Sequence, residues 1–225
     1  MMSFAGDRIP AFARMAHGNC RNLLLCALLV LLLPRSAGAA GMDEPAQAIA
    51  QFHGKLLQVM QQAQDLGYQG RYRELEPYIN EGFDIPFIAG VILGRYRDQL
   101  SDTQRAEFND LFSRSSTATY ASRFNGYDGE AFREISRELL RRGRVLIRTE
   151  LRRPHDEPVA LDYLLHEKQG KWYIISVSAN GVNDLSLKRA EYATVIKEKG
   201  YNGLVTEILS KIAEMENKSA PAEGK

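Results

Sequence analysis

Past residue 40 the chain holds three histidines, His53, His155 and His166, and none stands in a metal-ligand spacing such as His-x-x-x-His or His-Glu-x-x-His. His53 falls within a helical stretch, His155 in a turn and His166 after the last apolar residue of a strand; each reads as a surface or structural residue. Ser176 and Ser178 share a strand that could bring a hydroxyl to His166, but spacing alone does not make that pair a nucleophile and its base. Asp162 and Tyr163 could serve as acid and hydrogen-bond donor in a cone-shaped α+β pocket acting on a steroid-like or triterpenoid substrate. Strand alternation counts against this, since it turns Asp162 away from a core that holds Tyr163. Gly-x-Ser-x-Gly, Walker and Gly-x-Gly-x-x-Gly motifs are absent, so no catalytic residue, metal ligand or cofactor is assigned.

The strongest charge feature is basic. Arg137, Arg141, Arg142, Arg144, Arg148, Arg152 and Arg153 fall within 17 residues. Even-numbered members of one strand share a face, which lines up Arg144, Arg148 and Arg152. Interspersed Glu134, Glu138 and Glu150 make a solvated sheet face one reading. A contact for lipid headgroup phosphates or an acidic partner is the other.

These residues need elements to position them. Residues 1–40 read as a signal peptide: Arg14 and Arg21 precede the apolar run Leu23 to Leu33, which is short for a bilayer span, and Ala37-Gly38-Ala39 offers a cleavage site. Export follows as an expectation, with an uncleaved signal anchor as the other reading. Both cysteines, Cys20 and Cys26, lie in that leader, so the remainder must be held by its core. The leader takes four of the 29 basic and one of the 28 acidic residues, leaving 25 against 27 and a net charge of −2. Nothing in that balance points to nucleic acid. Residues 41–216 read as one domain and 217–225 as a polar disordered tail.

Ile49, Phe52, Leu56, Val59, Ala63 and Leu66 recur at helical spacing until Gly67, and a short helix is expected over 71–79. Asp84 then opens a strongly apolar helix with Pro86 in its first turn. Ile85, Ile88, Ala89, Ile92, Leu93 and Tyr96 give one face, while Phe87 and Val91 lie off it. Such a helix is either packed on two sides or lines an apolar cavity. Ser101-x-x-Gln104 is a capping box for the next helix. Beyond Phe112 that helix turns small, from Ser113 to Thr119, which suits close approach of another backbone or a ligand, or else an exposed polar face. Alternation follows over Val145–Leu151 and Val159–Leu165, Lys171–Ala179 with Trp172 is a third strand, the turns between are short, and Ala131–Leu139 is expected to join as a further strand. After Asn180-Gly181 helical spacing returns, broken once between Lys199 and Gly203. The chain is therefore expected to be α+β, an antiparallel four-stranded sheet with helices packed around it.

Several stretches together resemble the MlaC/Ttg2D family. They are Phe83-Asp84-Ile85-Pro86 with Leu93-Gly94-Arg95-Tyr96, then Ser101-x-x-Gln104-Arg105-x-x-Phe108, Thr119-Tyr120-Ala121, Tyr127-x-Gly129-Glu130, Val159-x-Leu161-Asp162-Tyr163 and Gly170-Lys171-Trp172. Gly181-Val182 and Arg189-x-Glu191-Tyr192 match more loosely. Asn183-Asp184 and the run to Tyr192 depart from the family pattern and resemble its hopanoid-associated HpnM branch. The resemblance implies a periplasmic lipid carrier whose apolar pocket takes a hopanoid or a phospholipid. It also implies partnership with an inner-membrane lipid transporter and an outer-membrane complex. On this reading Ile88, Val91, Ile92, Tyr96 and Phe112 are candidate lining residues from the first half of the chain. Tyr120, Leu161, Tyr163, Ile174 and Tyr192 are those from the second. An adaptor that docks through the arginines without carrying lipid is the further alternative.

Overall fold

The computed structural model describes residues 40–219, and the expected signal peptide lies outside them. α1 spans Ala40–Gln61, α2 Ala63–Gly82, α3 Ile85–Leu93, α4 Asp102–Arg123 and α5 Asp184–Ser219; a 3₁₀ helix, Gly94–Gln99, follows α3. The strands are β1 Ala131–Leu139, β2 Val145–Arg153, β3 Asp156–Lys168, β4 Lys171–Ala179 and β5 Val182–Asn183. They form one antiparallel sheet in the order β1-β2-β3-β4-β5. The expected four strands are all present, and the two-residue β5 is a fifth that pairs with the end of β4. None of the described helices is long and apolar enough to cross a membrane.

Local chemistry sets the helix boundaries. Gly67 (φ 58°, ψ −174°) and Gly200 (φ 70°, ψ −177°) adopt backbone angles that side-chain-bearing residues scarcely reach, and the helical path breaks at each. The helix expected over 71–79 runs instead from the Gly67 break to Gly82. The Asp84 carboxylate accepts from the Phe87 N–H at 3.2 Å and caps α3, with Pro86 in its first turn. Ser101 and Gln104 form the full capping box of α4, at 3.2 and 3.0 Å. α5 continues to Ser219, through the first residues of the tail expected from Asn217; residues 220–225 lie outside the described residues.

The core lies between the helices and one face of the sheet. Val145, Ile147, Thr149 and Leu151 of β2 and Leu161, Tyr163 and Leu165 of β3 point into it in alternation. The small residues of α4 do not form a polar surface. Ser113, Ser115, Thr117 and Ala118 are buried where α4 packs against α2 and α5. Thr117 and Thr119 donate back to the carbonyls of Ser113 and Ser115, so these hydroxyls are satisfied within the helix.

Candidate functional site

Between the inner face of the sheet and the C-terminal end of α4 lies a cavity of about 730 Å³, within the usual range for small-molecule sites. Leu151, Val159, Leu161, Tyr163, Val177 and Ala179 supply the sheet wall; Met60, Thr119, Tyr120 and Phe124 supply the helical wall. The mouth carries Tyr127, Val182 and Leu187, three of the largest exposed apolar side chains, beside the charged Arg123, Arg153, Asp128, Glu130, Asp156 and Asp184. Arg153 pairs with Asp156 at 3.0 Å and donates to the Glu157 carbonyl.

A second hollow, about 60 Å³, lies on the other side of Tyr120. Phe83, Ile88, Ile92, Phe112, Ile175 and Leu185 line it, and it shares Thr119, Tyr120, Val177 and Asp184 with the larger cavity. A third hollow of about 380 Å³ opens between α1, α2 and β4, where Phe52, Tyr78, Trp172 and Ile174 meet.

The sequence-predicted lining residues are therefore divided. Tyr120, Leu161 and Tyr163 face the large cavity, and Ile88, Ile92, Phe112 and again Tyr120 face the small hollow. Ile174 belongs to the third hollow. Val91, Tyr96 and Tyr192 line none of these three. Val91 is half-buried on α3, and Tyr96 lies under the Arg95 guanidinium at 5.1 Å. Tyr192 is buried edge-on against Phe108. Met60, Leu151, Val159, Val177 and Ala179 were missed. Leu151 and Val159 sit on the inward parity of strands already legible as alternating, and Val177 and Ala179 lie opposite Tyr163 and Leu161 on β4.

Behind the cavity wall is a polar pair. Tyr163, 1 % exposed, shares a 3.1 Å hydrogen bond with His53 Nε2, and the His53 ring stacks on Phe132 with centroids 3.9 Å apart. Burial lowers the His53 pKa to about 4, so its ring is neutral at pH 7, and burial raises the Tyr163 phenol well above its ordinary value. Phe52, Phe83 and Tyr120 complete an aromatic cluster with Tyr163, each ring edge-on to its neighbours at 5.3–6.5 Å.

The remaining candidates are engaged elsewhere. His166 lies 3.0 Å from the Asp84 carboxylate, which also accepts from Lys168 at 3.1 Å. Burial alone would raise the Asp84 pKa; the bonds from Lys168, the Phe87 N–H and His166 outweigh it and hold the carboxyl below its ordinary value. Ser176 and Ser178 accept from Asn183 Nδ2 at 2.7 and 3.1 Å, and Asp162 lies on the sheet face opposite Tyr163. The expected row of three arginines does not form. Arg148 pairs with Glu138 at 2.9 Å and Arg152 with Glu150, whereas Arg144 leans over the Phe87 ring of α3, 5.9 Å from its centroid. The described residues contain no group of His, Cys, Asp and Glu arranged to hold a metal ion.

The profile of the MlaC protein family matches residues 50–210. Among solved structures, the chain is similar to a phospholipid-binding protein from Ralstonia solanacearum, determined in complex with a phospholipid. The TM-score is 0.67 and the identity 20 %, over 75 % of this chain and 97 % of that one, a likeness of fold.

Proposed function

The chain belongs to the MlaC family, and from that premise we propose that it is a lipid carrier that holds its cargo in the 730 Å³ cavity between the sheet and α4. The single observation behind this reading is the cavity itself, walled by aliphatic and aromatic side chains and rimmed by exposed apolar and charged ones. A lipid chain in water exposes apolar area worth roughly 25 cal/mol per Å². A preformed apolar cavity removes that penalty without covalent chemistry, and a charged rim leaves a polar headgroup hydrated. The cargo is a phospholipid or a hopanoid, the latter if the chain falls in the HpnM branch. The Ralstonia relative, solved with a phospholipid, favours the former. The leader would deliver the carrier to the periplasm, where it would move lipid between an inner-membrane transporter and an outer-membrane complex.

The test is native mass spectrometry with organic extraction on the chain lacking residues 1–39, purified from the periplasm and then incubated with phosphatidylethanolamine vesicles. A stoichiometric lipid mass is expected. Ala179→Trp fills the cavity from a half-buried position without burying a charge, so it should lower loading at least tenfold with the far-ultraviolet circular dichroism unchanged. A wild-type protein that stays lipid-free in both preparations overturns the carrier reading. Full loading of folded Ala179→Trp overturns the assignment of the cavity.

A further inference from the structure

Tyr120 stands between two hollows that have four lining residues in common. The smaller, at about 60 Å³, is closed to a lipid chain: one water in the liquid takes ~30 Å³, so the space equals that of a few methylenes. Its walls are nonetheless largely apolar, with Ser176, Asp184 and Lys188 beside them. Phe83, Ile88, Ile92, Phe112, Ile175 and Leu185 are apolar, and the Ser116 and Thr119 hydroxyls are turned back onto their own helix carbonyls. The apolar wall of α3 thus ends at a space that its own neighbours do not fill.

The tyrosine that closes this space is held by ring contacts, whereas Tyr163 is fixed by His53 and Tyr201 by the Gln104 carbonyl. The Tyr120 hydroxyl has no hydrogen bond to a described residue, and its ring is held by edge contacts to Phe52 and Phe83 and a stack on Phe124. An apolar chain entering beside it would replace those contacts in kind. No hydrogen bond from the Tyr120 hydroxyl to a described residue has to break.

We infer that the small hollow is the inner branch of the cargo cavity, closed by the Tyr120 ring, and that it admits the second apolar chain of a two-chain lipid when the ring swings aside. This rests on the carrier reading and adds a specificity to it. A one-chain lipid needs only the large cavity, whereas a two-chain lipid needs both.

Loading from oleoyl-lysophosphatidylcholine and from dioleoyl-phosphatidylcholine vesicles, read by native mass spectrometry, tests it. Wild type should take both. Ser116→Phe, which fills the small hollow from α4, should keep lysolipid loading within twofold and lose two-chain loading at least tenfold. Leu185→Trp, filling the same hollow from α5, should do the same and serves if Ser116→Phe does not fold. Equal loading of both lipids in a folded filling variant overturns the inference and leaves the carrier reading intact. Wild type that takes neither lipid overturns both.

Discussion

His53 is a base kept neutral by its surroundings. In the unfolded chain its imidazole would titrate near 6.5, and in the folded protein burial brings that down to about 4. A base whose folded pKa is depressed contributes its full stability above the unfolded pKa and loses it as pH falls, because the unfolded chain takes up a proton that the folded chain refuses. Between pH 6.5 and 4 that linkage amounts to about 3 kcal/mol. Urea unfolding of wild type and His53→Gln at pH 7 and pH 4.5 should show wild type losing about 2 to 3 kcal/mol more than the variant. Equal losses would mean that the ring is solvated or charged in the folded state. The sequence placed His53 on a helix and gave it a structural or surface role, but its partner lies 110 positions away and no spacing rule reaches it. The arginines show the same limit. Parity correctly put Arg148 and Arg152 on one face, yet the carboxylate that neutralises Arg148 comes from β1, across a register containing a bulge.

At the scale of elements, the breaks were legible because they are local. Gly67 and Gly200 interrupt helical spacing in the sequence and break the backbone at the same positions. A Cβ on Gly67 would meet nothing within 4 Å, so Gly67→Ala isolates the conformational penalty. Its expected cost is about 1–3 kcal/mol, read as a lower urea midpoint at unchanged slope; a neutral result would show that the two parts of α2 on either side of Gly67 can join as one continuous helix. Asp84 was legible as an N-cap, but its ties to Lys168 and His166, which fasten α3 to the end of β3, were not. Asp84→Ala removes the cap and both partners and should cost about 2 kcal/mol, whereas Asp84→Asn keeps an acceptor for the Phe87 N–H and should cost about half that. Equal costs would place the whole effect in the charge. Which side of α3 packs and which faces a hollow could not be read from the pattern, because Ile88 and Ile92 would be apolar in either case.

At the scale of the molecule, the meander was recoverable because each hairpin is short and alternation fixes which face is buried. The two-residue β5 was not, since two residues have no period. The cavity was not legible either. A void arises where facing layers fail to meet, and the side chains that line it are those that would otherwise pack it, so Leu161 facing a hollow and Leu165 in the core belong to the same alternation. What a void changes is energy. The atoms along it lack dispersion partners, and a ligand that fills it stabilises the folded state by mass action, about 2.7 kcal/mol at a free concentration 100 times its Kd. For a domain of this length that should appear as a Tm roughly 5–10 °C higher for lipid-loaded than for delipidated protein, measured by calorimetry on one preparation before and after detergent exchange. In Ala179→Trp, whose indole occupies the cavity, the difference should shrink to within about 2 °C, because the space the lipid would stabilise is already filled. A Tm difference that survives in this variant would place the lipid on another surface of the molecule, with the Trp172-lined hollow between α1, α2 and β4 as the next to examine.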